Sequence, residues 1–172
     1  MYSYTYDEET GGILLNSTPT VFSKEPRPVY APELDLLGFD KYWKYDKQSG
    51  APYMWAESVQ YWYRGKQVAK LKGGNLYEAP EIIISKDSEG NPVQPEPDGG
   101  TLRPVDIEGM VNKNLDLLDI IENTTVKKIV AIYEKYKSKL DIFHVAFSGG
   151  KDSAVLLDLV KRALPKGSFV VV

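Results

Sequence analysis

Tyr2, Tyr4 and Tyr6 alternate with Ser3 and Thr5, a period of two that predicts a strand with three phenol rings on one face. Asp7-Glu-Glu-Thr-Gly-Gly12 follows with turn chemistry, since glycine takes the positive φ that tight hairpin loops demand, and Ile13 to Leu15 form the expected return strand. Further along, Tyr53, Trp55, Val59, Tyr61 and Tyr63 share one parity, and Arg64-Gly65-Lys66 offers a turn into Gln67 to Leu71. That predicts a second, longer hairpin, with Glu81 to Ser85 as one more short strand. From Val105 the period changes. Ile107, Met110, Val111, Leu115, Leu118 and Ile121 fall at three- and four-residue steps, which predicts an amphipathic helix from Ile107 to Glu122 capped by Asp106. A second helix, capped by Thr124 or Thr125 and carrying Ile129, Val130, Ile132, Tyr133 and Tyr136 on its apolar side, is expected to end near Leu140. The lysines 127, 128, 135, 137 and 139 fall elsewhere on that helix, as a solvated surface does.

The last stretch reads as strand, loop, helix, strand. Ile142-Phe-His-Val-Ala-Phe147 is a short apolar run expected of a strand buried on both faces of a parallel sheet. It stops at Ser148-Gly-Gly-Lys-Asp-Ser153. Ala154, Val155, Leu156, Leu157, Leu159 and Val160 then build a helix closed by Pro165-Lys-Gly, and Phe169 to Val172 opens another strand, giving a βαβ unit.

Between these patterned regions, Ser85 to Pro104 is rich in proline, glycine and acid with little to bury, and is expected to be an exposed linker. The expected organisation is a β-rich aromatic module over 1–84, a linker over 85–104, a helical connector over 105–140, and the start of a nucleotide-binding domain over 141–172. The fold class is α+β overall, ending in the truncated β-loop-α-β start of a doubly wound α/β domain. Composition sharpens the division. Of the 20 aromatic residues, 15 lie between Tyr2 and Tyr77, and residues 1 to 100 carry a net −5 against +2 for 101 to 172. Aromatics at strand spacing are usually packed, so they are assigned to a core; the alternative is a stacking platform beside Lys66, Lys70 and Lys72, which the acidic balance of this half disfavours. The phrase Tyr4-Thr-Tyr-Asp-Glu-Glu-Thr-Gly11 recurs as Trp43-Lys-Tyr-Asp-Lys-Gln-Ser-Gly50, either two hairpins sharing a turn solution or a duplicated unit.

Hydrophobic residues at 42% and charged residues at 26% match a globular protein and exclude a disordered one. No apolar run of about eighteen residues and no leader at Met1 is present, so no membrane span or secretion signal is expected and the cytoplasm is the expected compartment. Without that signal, the Asn16-Ser-Thr and Asn123-Thr-Thr sequons are chance matches. The absence of cysteine excludes a disulfide framework, a thiolate metal site and a cysteine nucleophile in these residues, and a single histidine argues against a histidine-based metal site.

The loop Ser148 to Ser153 has the chemistry of an anion site. Two glycines remove the Cβ atoms that would hold an anion away, and the helix start beyond them turns backbone N–H groups and the positive dipole end outward. Ser148 and Ser153 add hydroxyls and Lys151 adds a cation. The spacing fits neither a Walker loop nor the G-x-G-x-x-G dinucleotide fingerprint.

Ser148-Gly-Gly-Lys-Asp-Ser153 after an apolar strand resembles the PP-loop of the ATP pyrophosphatase (adenine nucleotide α-hydrolase-like) superfamily. With Lys151 and the continuation Ala154-Val-Leu-Leu-Asp-Leu159 it looks most like the phosphoadenosine phosphosulfate reductase family, over roughly residues 105 to 172. The resemblance implies a doubly wound parallel sheet with an adenine nucleotide at its strand C-terminal edge, and ATP or an adenylyl sulfate as substrate, with Mg²⁺ accompanying ATP. It implies that Ser148, Gly149, Gly150 and Ser153 bind phosphate and that Lys151 neutralises charge; Asp152 either helps hold Mg²⁺ or caps the helix. It further implies α-phosphorus attack with release of pyrophosphate, or sulfonucleotide reduction, in a complete enzyme of which this chain is the N-terminal part and which it does not replace in catalysis. Reductase members often depart from the full S-G-G-x-D-S pattern retained here, which tilts the chemistry toward ATP use. A non-catalytic interaction module with a vestigial loop, engaging protein or nucleic acid, is the alternative. A homodimer formed through the N-terminal module or an open sheet edge is a further expectation.

Overall fold

The computed structural model describes residues 2–19, 25–75 and 77–172, without the side chains of Tyr2 and Pro19. The described residues form a mixed α/β protein of nine strands and three α-helices. They divide into two compact units, residues 1–114 and 115–172.

In the first unit, β1 (Tyr2–Tyr6) and β2 (Ile13–Pro19) form the predicted antiparallel hairpin, with Tyr4 opposite Leu15 and Tyr6 opposite Ile13. Its turn closes because the Asp7 carboxylate accepts from the Thr10 hydroxyl at 2.6 Å while Gly11 takes φ +73°, a conformation open to glycine at little cost. The Tyr2 ring of the expected three-ring face lies outside the described residues. Five strands, β3 (Arg27–Val29), β4 (Met54–Glu57), β5 (Gln60–Tyr63), β6 (Lys66–Lys72) and β7 (Glu81–Ile84), make an antiparallel meander in chain order.

The single aromatic parity expected from Tyr53 to Tyr63 does not hold. A two-residue turn at Ser58-Val59 pairs Trp55 with Trp62 and Ala56 with Tyr61, and residues directly opposite in a ladder share a face. Trp55 and Tyr61 therefore point to opposite sides. On one side Met54, Ala56, Tyr61, Tyr63 and Val68 pack against Leu34 and Phe39. Leu34 belongs to α1 (Ala31–Leu37) and Phe39 to the 3₁₀ turn that follows Gly38. On the other side lies the β1–β2 hairpin: Tyr6 stacks on Trp62 at 5.4 Å, and the Trp55 indole donates to the Gly11 carbonyl at 2.9 Å. The sheet has aromatic residues on both faces, and the assignment of this region to a core stands, with Tyr53, Tyr61 and Tyr63 each 2% exposed. The second copy of the recurring phrase forms no hairpin; Asp46 and Ser49 make only a local turn, and Lys44 bridges Thr101.

Buried phenols set an alkaline limit to this packing. Tyr4 and Tyr6 both donate to the same oxygen of buried Glu57, at 2.6 and 2.7 Å, and Tyr61 donates to Glu33 at 2.9 Å. Burial first, and then the adjoining carboxylate, pushes Tyr4 and Tyr61 up to about 12 from 10.0. The folded state thus holds protons that the unfolded chain has released, so stability is full below pH 10 and falls as pH rises from 10 toward 12. Ultraviolet difference spectra should show part of the tyrosine complement ionising only with unfolding; a single transition centred at the ordinary phenol value, with the fold intact, would contradict this.

Residues 85–104 are mostly exposed, as expected, but they are held to the first unit at several points. Val93 N–H donates to the Ser85 carbonyl, Lys86 pairs with Pro92, the Trp43 indole donates to the Val93 carbonyl, and Leu102 is 2% exposed within the core. Few apolar side chains were available, but backbone hydrogen bonds and the buried Glu96 fix the segment along the rim of the sheet. The two expected helices are one, α2 (Ile107–Tyr136). Asp106 caps it as expected, accepting from Gly109 N–H at 2.9 Å. Thr125 does not interrupt it: its hydroxyl donates back to the Ile121 carbonyl at 2.8 Å, a bond made within a continuous helix. In its first turns Asn114 is buried and serves β2 directly, accepting from Leu15 N–H at 2.7 Å and donating to the Ile13 carbonyl at 2.8 Å.

Candidate functional site

The second unit contains the rest of α2, β8 (His144–Val145), α3 (Lys151–Ala163) and β9 (Val170–Val171). β8 and β9 pair in parallel, His144 beside Val170 and Val145 beside Val171, and hydrogen bonds from Val170 to Phe143 and from Phe147 to Val172 continue the ladder beyond them. The predicted strand, loop, helix, strand order is therefore present. The strand is shorter than expected and is not buried on both faces. Val145 is 7% exposed, whereas Ile142 is 58% and Phe147 43% exposed, because two strands and the neighbouring helices cover only part of the apolar run. On α3, Val160 is buried, Leu157 and Leu159 are half-buried, and Val155 and Leu156 are exposed.

All six predicted loop residues come together at the start of α3. Gly149 has φ +78°, a left-handed conformation that a side chain would strain, and it turns the chain from strand to helix. Gly150 is the N-cap residue in extended conformation, with no side-chain hydrogen bond capping the helix. The first N–H groups of an α-helix have no intrahelical acceptor, so the end of α3 presents donors beside the loop. Ser153 Oγ donates to the Gly150 carbonyl at 2.9 Å, and the Ser148 and Ser153 hydroxyls lie 3.3 Å apart. The Lys151 ammonium donates to Asp152 Oδ1 at 2.7 Å, with both side chains at least 85% exposed. Asp152 thus does not cap α3: it sits within the first turn and pairs sideways with Lys151.

This arrangement suits a phosphate group. Backbone donors, two hydroxyls and a cation converge on one exposed loop, with room above Gly149, where an added Cβ would meet nothing within 4 Å. It supplies little for a metal directly. Asp152 is the one carboxylate of the loop, and among the described residues no group of three or more His, Cys, Asp or Glu side chains is placed to hold an ion. Mg²⁺ accompanying a nucleotide would therefore rest chiefly on phosphate oxygens and water, as that ion commonly does. Among the described residues no helix is long and apolar enough to cross a membrane.

Sequence patterning missed a second polar cluster, in the first unit. The Tyr63 hydroxyl donates to Glu96 Oε1 and accepts from Arg103 N–H at 3.0 Å, and Arg103 Nε donates to the same Glu96 oxygen at 2.9 Å. Burial alone would raise the Glu96 carboxyl; the hydrogen bonds from Tyr63 and Arg103 outweigh it and hold the group below the usual carboxylate value. The signal available was one glutamate among prolines, which composition alone assigns to solvent. The chain matches no protein-family model, no curated protein and no solved structure.

Proposed function

We propose that this chain binds an adenine nucleotide, ATP or an adenylyl sulfate, through the phosphates at Ser148–Ser153, and does so within a longer, cytoplasmic ATP-pyrophosphatase-type enzyme of the phosphoadenosine phosphosulfate reductase family. The observation that carries the reading is the conjunction of Ser-Gly-Gly-Lys-Asp-Ser with a parallel βαβ crossover: a left-handed Gly149 followed by a helix start that no side chain caps. On this reading the N–H groups at the start of α3 and the Ser148 and Ser153 hydroxyls hold phosphate oxygens. Lys151 exchanges its lateral bond to Asp152 for the ligand's charge. Mg²⁺, when it accompanies ATP, offsets phosphate charge, and Asp152 is the carboxylate near enough to the loop to contact its water shell. Donors held ready beside the β,γ-pyrophosphate would stabilise the charge that develops there when the α-phosphorus is attacked. A doubly wound sheet continuing from β8 and β9, and a homodimer through the N-terminal module or a sheet edge, belong to the same proposal.

Calorimetric titration with ATP·Mg²⁺ tests it, comparing the chain with Gly150→Asp. Gly150 has φ −80° and ψ 164°, and a Cβ there would meet Ser148 Oγ at an ordinary 3.5 Å, so the backbone accepts the change. Aspartate is also a favoured N-cap residue, so thermal stability should hold or rise. Its carboxylate would occupy the donors and repel phosphate, and affinity should fall about tenfold or more. Equal binding heats from the two proteins would sink the phosphate-loop reading.

A further inference from the structure

In the first unit, a cavity of about 210 Å³ opens over the Tyr63, Glu96 and Arg103 cluster. Arg64, Lys66 and Arg103 line it together with Glu8 and Glu96, leaving one more cation than anion, and Val68, Val93, Pro95 and Pro97 supply an apolar wall. Its volume lies below the roughly 300–1,000 Å³ of pockets for drug-sized ligands. It suits a molecule of about amino-acid size.

The polar groups there are incompletely used. The Glu96 side chain is 9% exposed, yet both of its hydrogen bonds fall on Oε1; among the described residues nothing donates to Oε2. Oε2 is not among the fully buried atoms that lack a partner, so solvent or a ligand can reach it. Beside it, Arg103 spends its Nε on Glu96 and makes no hydrogen bond through its two Nη groups, and Lys66 reaches an anion only at 3.9 Å, from Glu8. A carboxylate oxygen without a protein donor therefore adjoins two solvent-exposed cations, Arg103 at 61% and Lys66 at 74% exposure, 2.9 Å being the separation of Arg103 Nε from the Glu96 carboxylate. The complement is a ligand whose cationic donor and carboxylate are themselves neighbours.

We propose that this cavity binds a free α-amino acid with an apolar side chain: its ammonium donates to Glu96 Oε2, its carboxylate accepts from Arg103 and Lys66, and its side chain lies along Val93 and Pro95. The site lies wholly within the first unit and stands or falls independently of the phosphate loop.

Calorimetry of the full chain with L-leucine, leucinamide and N-acetyl-leucine tests it. Leucine binds, and removal of either the carboxylate charge or the ammonium lowers affinity about tenfold or more, the worth of a charge-assisted hydrogen bond. In Glu96→Gln the preference for leucine over N-acetyl-leucine shrinks to within about threefold. Lys66→Ala, at a side chain 74% exposed that the fold does not need, weakens leucine about threefold or more and leaves leucinamide unchanged. Should Glu96→Gln fail to fold, the analogue series and Lys66→Ala decide the matter. No binding of leucine up to about 10 mM, or equal affinities for leucine and both blocked analogues, overturns the proposal.

Discussion

Phe39→Ala should lower the stability of the first unit by about 3–5 kcal/mol, the range for truncating a buried aromatic to alanine. Phe39 is fully buried, stacks on Trp43 with ring centroids 5.3 Å apart, and meets Tyr61 at 5.2 Å. It is held by a 3₁₀ turn immediately after the left-handed Gly38, so the backbone has little freedom to collapse into the space left behind. Both the transfer of the lost ring and the residual cavity contribute. Because small domains are stable by only about 5–15 kcal/mol, the variant should show a much lower urea midpoint at an unchanged slope. A loss below about 1 kcal/mol would mean that the two aromatic neighbours close over the gap, and that the packing between α1, its following turn and the sheet is less decisive than described.

Arg64→Ala should cost about 3 kcal/mol, and Arg64→Gly about 1 kcal/mol less than that. The Arg64 guanidinium donates through Nη1 to the Glu8 and Glu9 carbonyls at 2.6 and 2.7 Å and through Nη2 to the Pro104 carbonyl at 3.5 Å. One side chain thereby ties the first hairpin turn and the rim segment to the β5–β6 turn. Truncation strands carbonyls that a buried cation had satisfied, and hydrogen bonds to charged groups are worth more than neutral ones. The expected loss is kept to about 3 kcal/mol because burying the cation is itself unfavourable and its Nε finds no partner. Arg64 also sits at φ +46° with Gly65 at φ +82°, the two positive angles of a tight hairpin turn. Alanine inherits that backbone strain and glycine relieves it, which is the origin of the difference. Equal stabilities for the two variants, measured by urea denaturation, would contradict the strain; a loss near zero in both would contradict the clamp.

The legibility of this chain varied with the kind of signal each segment carried. The β1–β2 hairpin and the β8–loop–α3–β9 unit were legible because Asp7 to Gly12 and Ser148 to Ser153 are local instructions, written in residues that dictate backbone angles or expose donors. The aromatic core was legible as a core but not as a surface with two covered sides. Its orientation depends on Ser58-Val59, a pair with no Gly or Asn to announce a turn, and Ser58 nonetheless adopts φ +54°. The helix α1 has the ordinary punctuation of a helix, Pro32 near its start and Gly38 after its end, but its 7 residues are too few for a helical period to show. Thr124 and Thr125 announced a cap that the continuous α2 does not use, since a threonine hydroxyl can bond backwards within a helix as readily as forwards at its start. Residues 85–104 are exposed as their composition indicates, but their anchoring is made by backbone groups and by one buried glutamate, neither of which apolar composition records. The unused Glu96 oxygen follows from tertiary placement alone.

The distribution of indoles gives the molecule a built-in division of optical signals. Trp43 lies with Phe39 on one side of the five-stranded sheet and Trp55 and Trp62 lie on the other, while residues 115–172 contain no tryptophan. Emission excited selectively from indole therefore follows the melting of residues 1–114 alone. Far-ultraviolet circular dichroism follows chiefly α2 and α3, whose greater part belongs to residues 115–172. A nucleotide that steadies the loop should move the dichroism transition before the fluorescence transition, and an amino acid in the Glu96 cavity should do the reverse, so one denaturation series read in two channels distinguishes the ligands by the segment each protects.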